Sequence, residues 1–324
     1  MRYFRKIKSY FRRIRGALDK LELTGSERIA VFFDVIWCRI RYHAKLEEYL
    51  QYHFYQFRHH YRKYFLLAYH QKHQYRRINQ KGFTRSKYDF YQRIPDIFGR
   101  EMIAVPDCGE AEFVSFLKRN IKAVLKPDSG SYGRDIRLLH YTNDADAVSE
   151  FRGVSGRMVC EGFIYQHEKM SQLSPDAVNT IRVQTLRYDD RVDVISATLK
   201  MGGKPGCIID NMHNGGIGAQ VDIASGIIVT LGKDYECRQY THHPATGAQI
   251  IGFVVPNWDK AIELVKQAHS RLPECKLLGW DVAITAEGAD IVEANNGPGP
   301  TLTQMMDLIP KGKPIMKLIK DSKK

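Results

Sequence analysis

Two carboxylates and a carboxamide near the end of the chain have a spacing that could bring their oxygens together. Residues 280–285 and 289–295 alternate in the manner of strands, and the Ala-Glu-Gly stretch at 286–288 is typical of a three-residue hairpin loop. The predicted register pairs Thr285 with Ala289, Ala283 with Ile291, and Asp281 with Glu293. Asn295, two residues beyond Glu293, then points to the same face of the sheet.

This group of oxygens suits a hard metal ion. Two carboxylates held within ~5 Å repel each other unless one is protonated or a cation lies between them. Magnesium prefers oxygen ligands of this kind. The residues alone leave two interpretations level: a magnesium site formed by Asp281, Glu293 and Asn295, or a surface hairpin with scattered acids.

A second candidate site follows a predicted strand at residues 122–126. Lys126 ends that strand, and a small, flexible loop follows before another strand at 136–141. The loop contributes Ser129, Gly130, Ser131 and Gly133. Its backbone N–H groups and hydroxyls can bind phosphate oxygens while the lysine supplies a positive charge. The pattern matches neither a Walker A loop nor G-x-G-x-x-G, and a plain hairpin is the alternative.

Three polar side chains lie on a predicted pair of strands at residues 179–186 and 192–200. They are Asn179, Arg182 and Lys200, set among β-branched residues. A half-buried Arg or Lys needs an anionic partner. That partner is either a bound anionic substrate or an acid on a neighbouring strand.

The elements that must position these residues follow from hydrophobic periodicity. The predicted helices cover residues 2–21, 26–43 with Ser26 as the cap, 47–80, a short stretch from Ser86, 111–118, 256–272 and 311–324. The remaining predicted strands cover residues 100–105 and 157–165. We therefore predict an α+β protein with a basic helix at 1–22, a basic helical region at 23–82, a small α/β subdomain at 83–155 and a large subdomain at 156–324.

The net charge of +13 comes from the N-terminal quarter of the chain. Residues 1–82 hold 19 Lys and Arg against six acids, and the rest balances at 30 against 30. In the helix at 2–21, an apolar stripe runs through Phe4, Ile7, Phe11, Ile14, Leu18 and Leu21. Such a helix either lies on an anionic membrane or packs its stripe on the protein.

The location of the protein follows from what the sequence lacks. There is no apolar run long enough for a membrane span, no signal-peptide pattern and no base-reading motif. The six cysteines include no C-x-x-C pair, which favours reduced thiols. We predict a cytoplasmic protein, peripheral on the inner face of the membrane, that binds no nucleic acid.

Taken in order, these motifs resemble the ATP-grasp superfamily. They are most similar to its sugar-transfer-associated family, which is found with bacterial surface-polysaccharide genes. The segments that carry the resemblance are Glu48-Tyr-Leu-Gln-Tyr-His-Phe54, Val124-Leu-Lys-Pro127 with Gly130 and Gly133, Asn179-Thr-Ile-Arg182, Asp210-Asn-Met-His-Asn-Gly-Gly216, Val221-Asp222, Gly279-Trp-Asp281 and Val292-Glu-Ala-Asn295. The resemblance covers about residue 45 to the C-terminus. It implies an ATP-grasp fold, in which two α/β subdomains grip ATP, preceded by an N-terminal helical region.

The resemblance also implies roles for individual residues. Lys87 and Lys126 resemble the lysines that bind the ATP phosphates, beneath a flexible loop that includes Ser129, Gly130, Ser131 and Gly133. Cys160, Glu161, Gly162 and Phe163 resemble the hinge strand whose backbone reads adenine, and Glu168 resembles a ribose contact. Asp281, Glu293 and Asn295 resemble the ligands of two Mg²⁺ ions. Arg182 and Lys200 resemble catalytic groups for the γ-phosphate and the acyl phosphate, and Asn179, His213, Asn214, Gly215 and Gly216 resemble contacts to the acceptor substrate.

The activity implied by the resemblance is an ATP- and Mg²⁺-dependent carboxylate–amine ligase acting through an acyl phosphate. Its substrates would be an amine and a small-molecule or lipid-linked sugar acid used in bacterial surface polysaccharide modification. Two other functions stay open. One is a kinase that leaves the phosphate on a sugar-related acceptor. The other is a membrane-docked scaffold for glycan assembly with a vestigial nucleotide site.

Overall fold

The computed structural model describes residues 2–82, 85–130 and 135–322, and it combines helices with two antiparallel sheets. The helices are α1 (Arg2–Leu18), α2 (Gly25–Tyr42), α3 (Leu46–Gln51), α4 (His59–Arg62), α5 (Ala68–His73), α6 (Lys87–Arg93), α7 (Glu110–Arg119), α8 (Asp144–Arg152), α9 (Glu168–Leu173), α10 (Trp258–Ser270), α11 (Thr301–Met305) and α12 (Gly312–Asp321). Short 3-10 helices cover Phe54–Gln56, Tyr75–Arg77, Pro95–Ile97 and Met212–Asn214.

The strands account for every strand predicted from the sequence, with ends moved by at most three residues. They are β1 (Met102–Val105), β2 (Lys122–Pro127), β3 (Arg137–His140), β4 (Met158–Gly162), β5 (Thr180–Arg187), β6 (Val192–Met201), β7 (Ile217–Gln220), β8 (Gly232–Lys233), β9 (Gln239–Tyr240), β10 (Leu277–Ile284) and β11 (Ala289–Asn296).

A four-stranded sheet in the order β1-β4-β2-β3 forms the small subdomain. Helices α7 and α8 pack together beside it and cover one face. The shared core contains Phe113, Phe116, Leu125 and Cys160, none of which is exposed to solvent. Burial of large apolar side chains on one face holds this layer together.

A seven-stranded sheet in the order β11-β10-β5-β6-β7-β8-β9 forms the large subdomain. Helix α10 contacts β5, β6, β10 and β11. Trp280 on β10 is fully buried beneath it, and its indole nitrogen donates to the Thr185 hydroxyl at 2.7 Å. Because Ile181 and Val183 of β5 and Trp280 and Val282 of β10 lie in this core, the residues that alternate with them, Arg182 and Asp281, are directed to the opposite face.

The N-terminal helical region differs from the prediction in two places. Residues 47–80 are not one helix but α3, α4 and α5 with two 3-10 helices between and after them. The aromatic residues of this stretch are buried on several sides rather than along one stripe, as with Tyr49, Tyr52, Phe54 and Phe65 at 1% exposure or less. A straight helix cannot bury them all, so the chain folds back on itself.

The second difference is the cap of α2. Thr24 rather than Ser26 caps the helix: its backbone N–H donates to Glu27 Oε2 at 2.8 Å, and its hydroxyl accepts from the Glu27 N–H at 3.4 Å. This reciprocal pair is a capping box. The helix therefore starts at Gly25, one residue before the predicted cap.

Candidate functional site

Asp281 on β10 lies directly opposite Glu293 on β11, as predicted. The rest of the predicted hairpin register is wrong. The pairs that form are Ile284 with Ala289, Ala283 with Asp290, and Val282 with Ile291. The loop is one residue longer than predicted, and Val292 is accommodated as a β-bulge. These two deviations cancel, so Asp281 and Glu293 still face the same side of the sheet.

The Asp281 carboxylate is occupied by two cations from neighbouring strands. Arg182 on β5 donates from Nε to Oδ1 at 2.6 Å and from Nη2 to Oδ2 at 3.0 Å. Lys200 on β6 lies 3.2 Å from Oδ2. Burial opposes ionisation of Asp281, but Arg182 and Lys200 outweigh it and hold the pKa of Asp281 below its ordinary value. The acid is therefore a carboxylate at neutral pH.

Asp210 completes this network, although no role for it follows from the sequence. Its Oδ1 accepts from Lys200 Nζ at 3.3 Å. Its Oδ2 accepts from the Thr180 N–H at 3.0 Å and from the Thr180 hydroxyl. Burial lowers the pKa of Lys200, yet Asp210 and then Asp281 raise it overall, which keeps the amine protonated. In the sequence, Asp210 is singled out only as the first residue of the segment Asp210–Gly216 that carries the family resemblance, and nothing there indicates that it binds Lys200.

Glu293 and Asn295 keep polar atoms unpaired, in contrast to Asp281. Among the described residues, the Glu293 carboxylate accepts no hydrogen bond, and the amide nitrogen of Asn295 is buried without a partner. In those parts of the chain, no group of three or more His, Cys, Asp or Glu side chains could hold a metal. The predicted set of Asp281, Glu293 and Asn295 is not such a group, since it has two acids and one amide. Glu293 and Asn295 fit Mg²⁺, whereas Asp281 could join them only by sharing an oxygen already bound to Arg182 or Lys200.

Glu293 also interacts electrostatically with Lys87 on α6 and with Arg182 on β5. Burial lowers the pKa of Lys87, Glu293 opposes that shift and Lys126 adds to it, for a net decrease. Burial likewise lowers the pKa of Arg182, but Asp281 and then Glu293 raise it overall. Glu293 therefore lies close enough to Lys87 and Arg182 to influence both, and its role as a metal ligand stays a prediction.

Lys126 forms a buried ion pair at the end of β2. Its Nζ donates to Glu161 Oε1 on β4 at 2.6 Å, and Arg100 Nη2 donates to Glu161 Oε2 at 2.8 Å. Burial raises the pKa of Glu161, but Arg100 and Lys126 lower it overall. The Glu161 carboxylate thus orients the Lys126 ammonium, a role that its place in a predicted adenine-binding strand does not reveal.

Arg100 connects that ion pair to the bulge in β11. Its Nη1 donates to Asp290 Oδ2 at 2.8 Å and to the Ile291 carbonyl at 2.8 Å. Its Nη2 lies 3.4 Å from the Val292 carbonyl. One guanidinium therefore holds both the glutamate behind Lys126 and the irregular backbone that aligns Glu293. The position of Arg100 at the start of a predicted strand gives no sign of this role.

Lys87 is fixed against the chain that leaves β2. Its Nζ donates to the Pro127 carbonyl at 3.0 Å, and its backbone N–H donates to the Asp128 carbonyl at 3.0 Å. The buried Asp128 carboxylate accepts from the Ser86 hydroxyl at 3.0 Å and from the Tyr88 N–H at 2.9 Å. Asp128 thereby secures the start of α6 and holds Lys87 beside the end of the Lys126 strand.

The predicted phosphate loop begins directly after these residues. Ser129 and Gly130 are exposed, and Gly130 has a φ of 147°, which favours glycine. Ser131 and Gly133 lie outside the described residues. The role of the loop in covering ATP stays a prediction.

The predicted adenine-binding segment, residues 160–163, lies largely in strand β4. This strand runs between β1 and β2, so its backbone groups take part in strand pairing. The N–H groups of Gly162 and Phe163 each donate to a carbonyl of an adjoining segment at 3.1 Å. The contact of this segment with adenine stays a prediction.

Asn179 has a structural role in addition to its predicted contact with the acceptor. It is fully buried, and its amide nitrogen donates to the Met170 and Ser174 carbonyls, both at 2.9 Å, and to Gln166 Oε1 at 3.0 Å. The side chain connects the segment around α9 to the start of β5. A polar residue among β-branched ones can thus bind buried backbone groups, and the contact with an acceptor stays a prediction.

The other predicted contacts lie at the surface. Glu168 is exposed at the start of α9, and its contact with ribose stays a prediction. His213 and Asn214 are exposed on the 3-10 helix Met212–Asn214. Gly215 has a φ of 89°, and a Cβ on Gly216 would lie 2.5 Å from the Asp210 carbonyl. The glycines therefore let this loop turn closely around Asp210, and its contact with an acceptor stays a prediction.

Solved structures similar to this chain share little sequence with it. The chain is similar to PsnB, described as an ATP-grasp ligase complexed with minimal precursor, Mg and ADP, at 12% identity and a TM-score of 0.45, over 74% of this chain and 59% of PsnB. It is also similar to D-alanine–D-alanine ligase from Bacillus anthracis at 14% identity and a TM-score of 0.42, over 74% and 66% of the two chains. The chain thus spans about three fifths of PsnB and just under two thirds of the second protein. No curated protein matches the sequence.

A family match is more direct. The sequence profile of the family described as sugar-transfer associated ATP-grasp matches residues 150–313, which is half of the chain. That span contains Arg182, Lys200, Asp281, Glu293 and Asn295. The resemblance inferred from the motifs is confirmed, and the chain belongs to the sugar-transfer-associated ATP-grasp family.

Proposed function

We propose that the chain is an ATP- and Mg²⁺-dependent carboxylate–amine ligase that modifies a bacterial surface-polysaccharide precursor. The observation that carries this proposal is a set of four buried or half-buried cations linked through Glu293. Glu293 interacts electrostatically with Lys87 on α6 and with Arg182 on the large sheet, Lys87 interacts with Lys126 on the small sheet, and Arg182 interacts with Lys200. Such a concentration of positive charge suits the polyphosphate of ATP and an anionic acceptor.

The proposed reaction has two steps. A carboxylate oxygen of the acceptor attacks the γ-phosphorus of ATP, the bond to the bridging oxygen breaks and ADP leaves. An amine then attacks the carbonyl carbon of the acyl phosphate, and the amide forms as phosphate departs and the amine loses a proton. Neither step requires a nucleophilic side chain, which agrees with a site made of cations, acids and amide groups.

The proposed role of each residue follows from its place in the site. Lys87 and Lys126 hold the phosphates, and Glu161 keeps the Lys126 ammonium in place at 2.6 Å. Arg182 and Lys200 bind the acceptor carboxylate and the transferred phosphate while Asp281 keeps them charged. Glu293 and Asn295 would hold Mg²⁺, which when bound neutralises phosphate charge. The proposal includes two Mg²⁺ ions. Asp281 would be a further ligand, although its oxygens are also bound to Arg182 and Lys200.

The biological setting is part of the same proposal. The family description, sugar-transfer associated, supports a sugar acid as the acceptor. No helix within residues 2–82, 85–130 and 135–322 has the length and apolar character needed to cross a bilayer. We place the protein at the cytoplasmic face of the membrane, where the basic region around residues 2–21 meets anionic lipid.

The test is ADP release by the purified chain with Mg²⁺, a panel of uronic and other sugar acids, and a panel of amines. Glu293→Ala should abolish release. Glu287→Ala, at the exposed loop of the same hairpin, should leave it unchanged. Full turnover by Glu293→Ala would remove the metal assignment. A phosphorylated acceptor without free phosphate would replace the ligase with a kinase, and no ATP binding by calorimetry would leave only the scaffold.

A further inference from the structure

Helix α2 carries a row of large apolar side chains that face solvent. Ile29 is 64% exposed, Phe33 64%, Trp37 39% and Ile40 73%. Steps of four, four and three residues place them on one face of the helix. The row extends for about 16 Å along the helix axis. A monomeric protein rarely leaves so regular an apolar face to water, which marks it as an interaction surface.

The exposed face is a fixed part of the fold. The opposite side of α2 buries Val31, Val35 and Cys38 in the core of the N-terminal region. Asp34, at the edge of the helix, is held by Arg62 at 2.7 Å and by the Tyr49 hydroxyl at 2.6 Å. Because these contacts hold the opposite face of α2 against the core, the helix cannot rotate its exposed apolar row into the protein.

Helix α1 extends this surface. The Phe11 ring lies 5.8 Å from the Phe32 ring, which in turn lies 5.6 Å from Phe33. Phe4, two turns before Phe11, is 71% exposed. The lower half of the α1 stripe, Ile14 and Leu18, is instead buried in the protein core. The apolar surface open to a partner is therefore mainly that of α2, with α1 at its border.

Positive charge surrounds the apolar row. The exposed basic residues of the two helices are Arg5, Lys6, Lys8, Arg12, Arg13, Arg15, Arg28, Arg39 and Arg41. Two of these cations are paired with acids, since Arg28 donates to Asp19 at 2.9 Å and Arg13 donates to Glu47, and Glu27 forms the capping box with Thr24. The other seven exceed the one further exposed acid of this region, Glu22. A partner for this surface must accept apolar side chains and carry negative charge close to them. The interface of an anionic bilayer provides both.

We propose that the α2 row of Ile29, Phe33, Trp37 and Ile40 inserts into the interface of an anionic membrane while the basic residues of α1 contact lipid headgroups. This deepens the proposed membrane location, on which it rests, and it is independent of the ligase chemistry. The apolar insertion is assigned to α2 rather than to the α1 stripe, half of which is used inside the protein.

Trp37 provides a native probe for the test. The chain has three tryptophans, and the other two, Trp258 and Trp280, are 6% and 0% exposed. The full chain is mixed with vesicles of phosphatidylcholine alone or of two parts phosphatidylcholine to one part phosphatidylglycerol. We expect sedimentation with the anionic vesicles, a blue shift of the tryptophan emission, and quenching by brominated acyl chains. None of these should occur with phosphatidylcholine alone.

The decisive variant is Ile29→Ser/Phe33→Ser/Ile40→Ser, which changes only exposed positions. We expect a loss of at least ~tenfold in vesicle partitioning, because the apolar contribution to interfacial binding is removed. The matched control is Ile208→Ser/Val229→Ser/Val254→Ser, three residues that are 51–55% exposed elsewhere on the surface. It should bind vesicles as the unmodified chain does.

Two results would overturn the inference. One is undiminished binding to anionic vesicles by the α2 variant, with Trp37 still open to quenching by acrylamide. The other is a dimer in light scattering without lipid that the α2 variant converts to a monomer, because a second copy would then cover the row. ADP release measured without vesicles should be equal in all variants, so a failed ligase assay and a failed membrane assay are separate outcomes.

Discussion

Asp281 stands opposite Glu293 only because β11 contains an extra residue at Val292. From the hairpin loop to Val282 the register would pair Asp281 with Val292, and Glu293 would point to the other face of the sheet. The bulge shifts the pairing by one residue and returns Glu293 to the side that holds Arg182 and Lys200. A local irregularity of the backbone therefore creates the acidic part of the site.

Replacement of Arg100 should disrupt both halves of the site. Arg100→Met removes the donor to Glu161, Asp290 and the bulge carbonyls, and leaves buried carboxylates without that partner. Breaking a buried ion pair in this way costs about 3–5 kcal/mol of unfolding free energy. Urea denaturation should report that loss. Arg119→Met, which removes an exposed guanidinium paired with Glu101 and Glu112, should leave the denaturation midpoint unchanged.

Arg100→Lys separates positioning from stability. The variant keeps the charge but cannot reach two carboxylates and the bulge carbonyls with one ammonium. We expect a folded protein whose Mg²⁺ requirement for ADP release is raised by ~tenfold or more, since Glu293 is no longer aligned. An Arg100→Lys protein with an unaltered Mg²⁺ titration would show that the bulge does not need this residue.

Asp281→Asn should make stability less dependent on acid pH. Burial raises the pKa of Asp281, but Arg182 and Lys200 depress it overall, so the charged carboxylate stabilises the fold above its unfolded-state pKa of about 4. That stabilisation is lost as the pH falls through the folded-state pKa. Near neutral pH the variant should be less stable by about 3–5 kcal/mol, because two buried cations lose their shared partner.

The measurement is urea denaturation at neutral pH and at several values below pH ~4. The gap between the two proteins should narrow as the solution becomes more acidic. A gap that is constant over that range would mean that the ion pairs of Asp281 contribute nothing to stability. Glu287→Gln, in the exposed loop of the same hairpin, serves as the control for the loss of one acid.

Much of the sheet structure can be predicted from the sequence, because apolar and polar residues alternate along a strand for several residues. The pairing of Asp281 with Glu293 was predicted correctly, but from a loop that is one residue too short and a register without a bulge. No local pattern marks Val292 as the extra residue. The bulge carbonyls are bound by Arg100, which is about 190 residues earlier in the chain, and such a contact cannot be read from spacing.

Other residues of the site depend on tertiary contacts in the same way. Asn179 has the residue type and setting of a substrate contact, and its amide also donates to carbonyls near α9. Asp210 has no periodic signal at all, yet it holds Lys200 at 3.3 Å. Polar residues in a strand pattern indicate that something must satisfy them. Whether the partner is a ligand or the protein itself depends on tertiary contacts.

Lys87→Met should weaken nucleotide binding while leaving the fold intact. Among the residues that the structure describes, the Lys87 ammonium donates hydrogen bonds only to carbonyl oxygens, Pro127 O at 3.0 Å and Asp128 O at 3.4 Å, so its removal breaks no direct ion pair there. A charged hydrogen bond to phosphate contributes about 1.5–3 kcal/mol, which corresponds to a ~10- to 140-fold increase in the Kd of ATP. Calorimetry with a non-hydrolysable analogue and Mg²⁺ measures it.

The control for Lys87 is Lys118→Met, which removes an exposed ammonium paired with Asp144 at 2.9 Å. It should bind the analogue as the unmodified chain does. Equal affinities for the Lys87 and Lys118 variants would remove Lys87 from the nucleotide site. Unequal affinities with equal denaturation midpoints would assign the loss to the lost contact rather than to misfolding.

Asp210→Asn tests whether Lys200 acts as a cation in the reaction. Burial lowers the pKa of Lys200, while Asp210 is the charge that raises it most, so the variant should have a lower Lys200 pKa. In the unmodified chain the raised pKa stabilises the fold below about pH 10.4, and this is lost as the pH rises through the folded-state value. If protonated Lys200 binds the transferred phosphate, the alkaline limb of the kcat/KM profile for ADP release should move to lower pH in Asp210→Asn. Asp193→Asn removes a half-exposed acid from the same strand as Lys200 and should not move that limb. A uniform fall in activity across the whole pH range would contradict the prediction. Since a purely structural role does not change the pKa of the amine, that result would mean that Asp210 serves only to hold Thr180 and the glycine-rich loop.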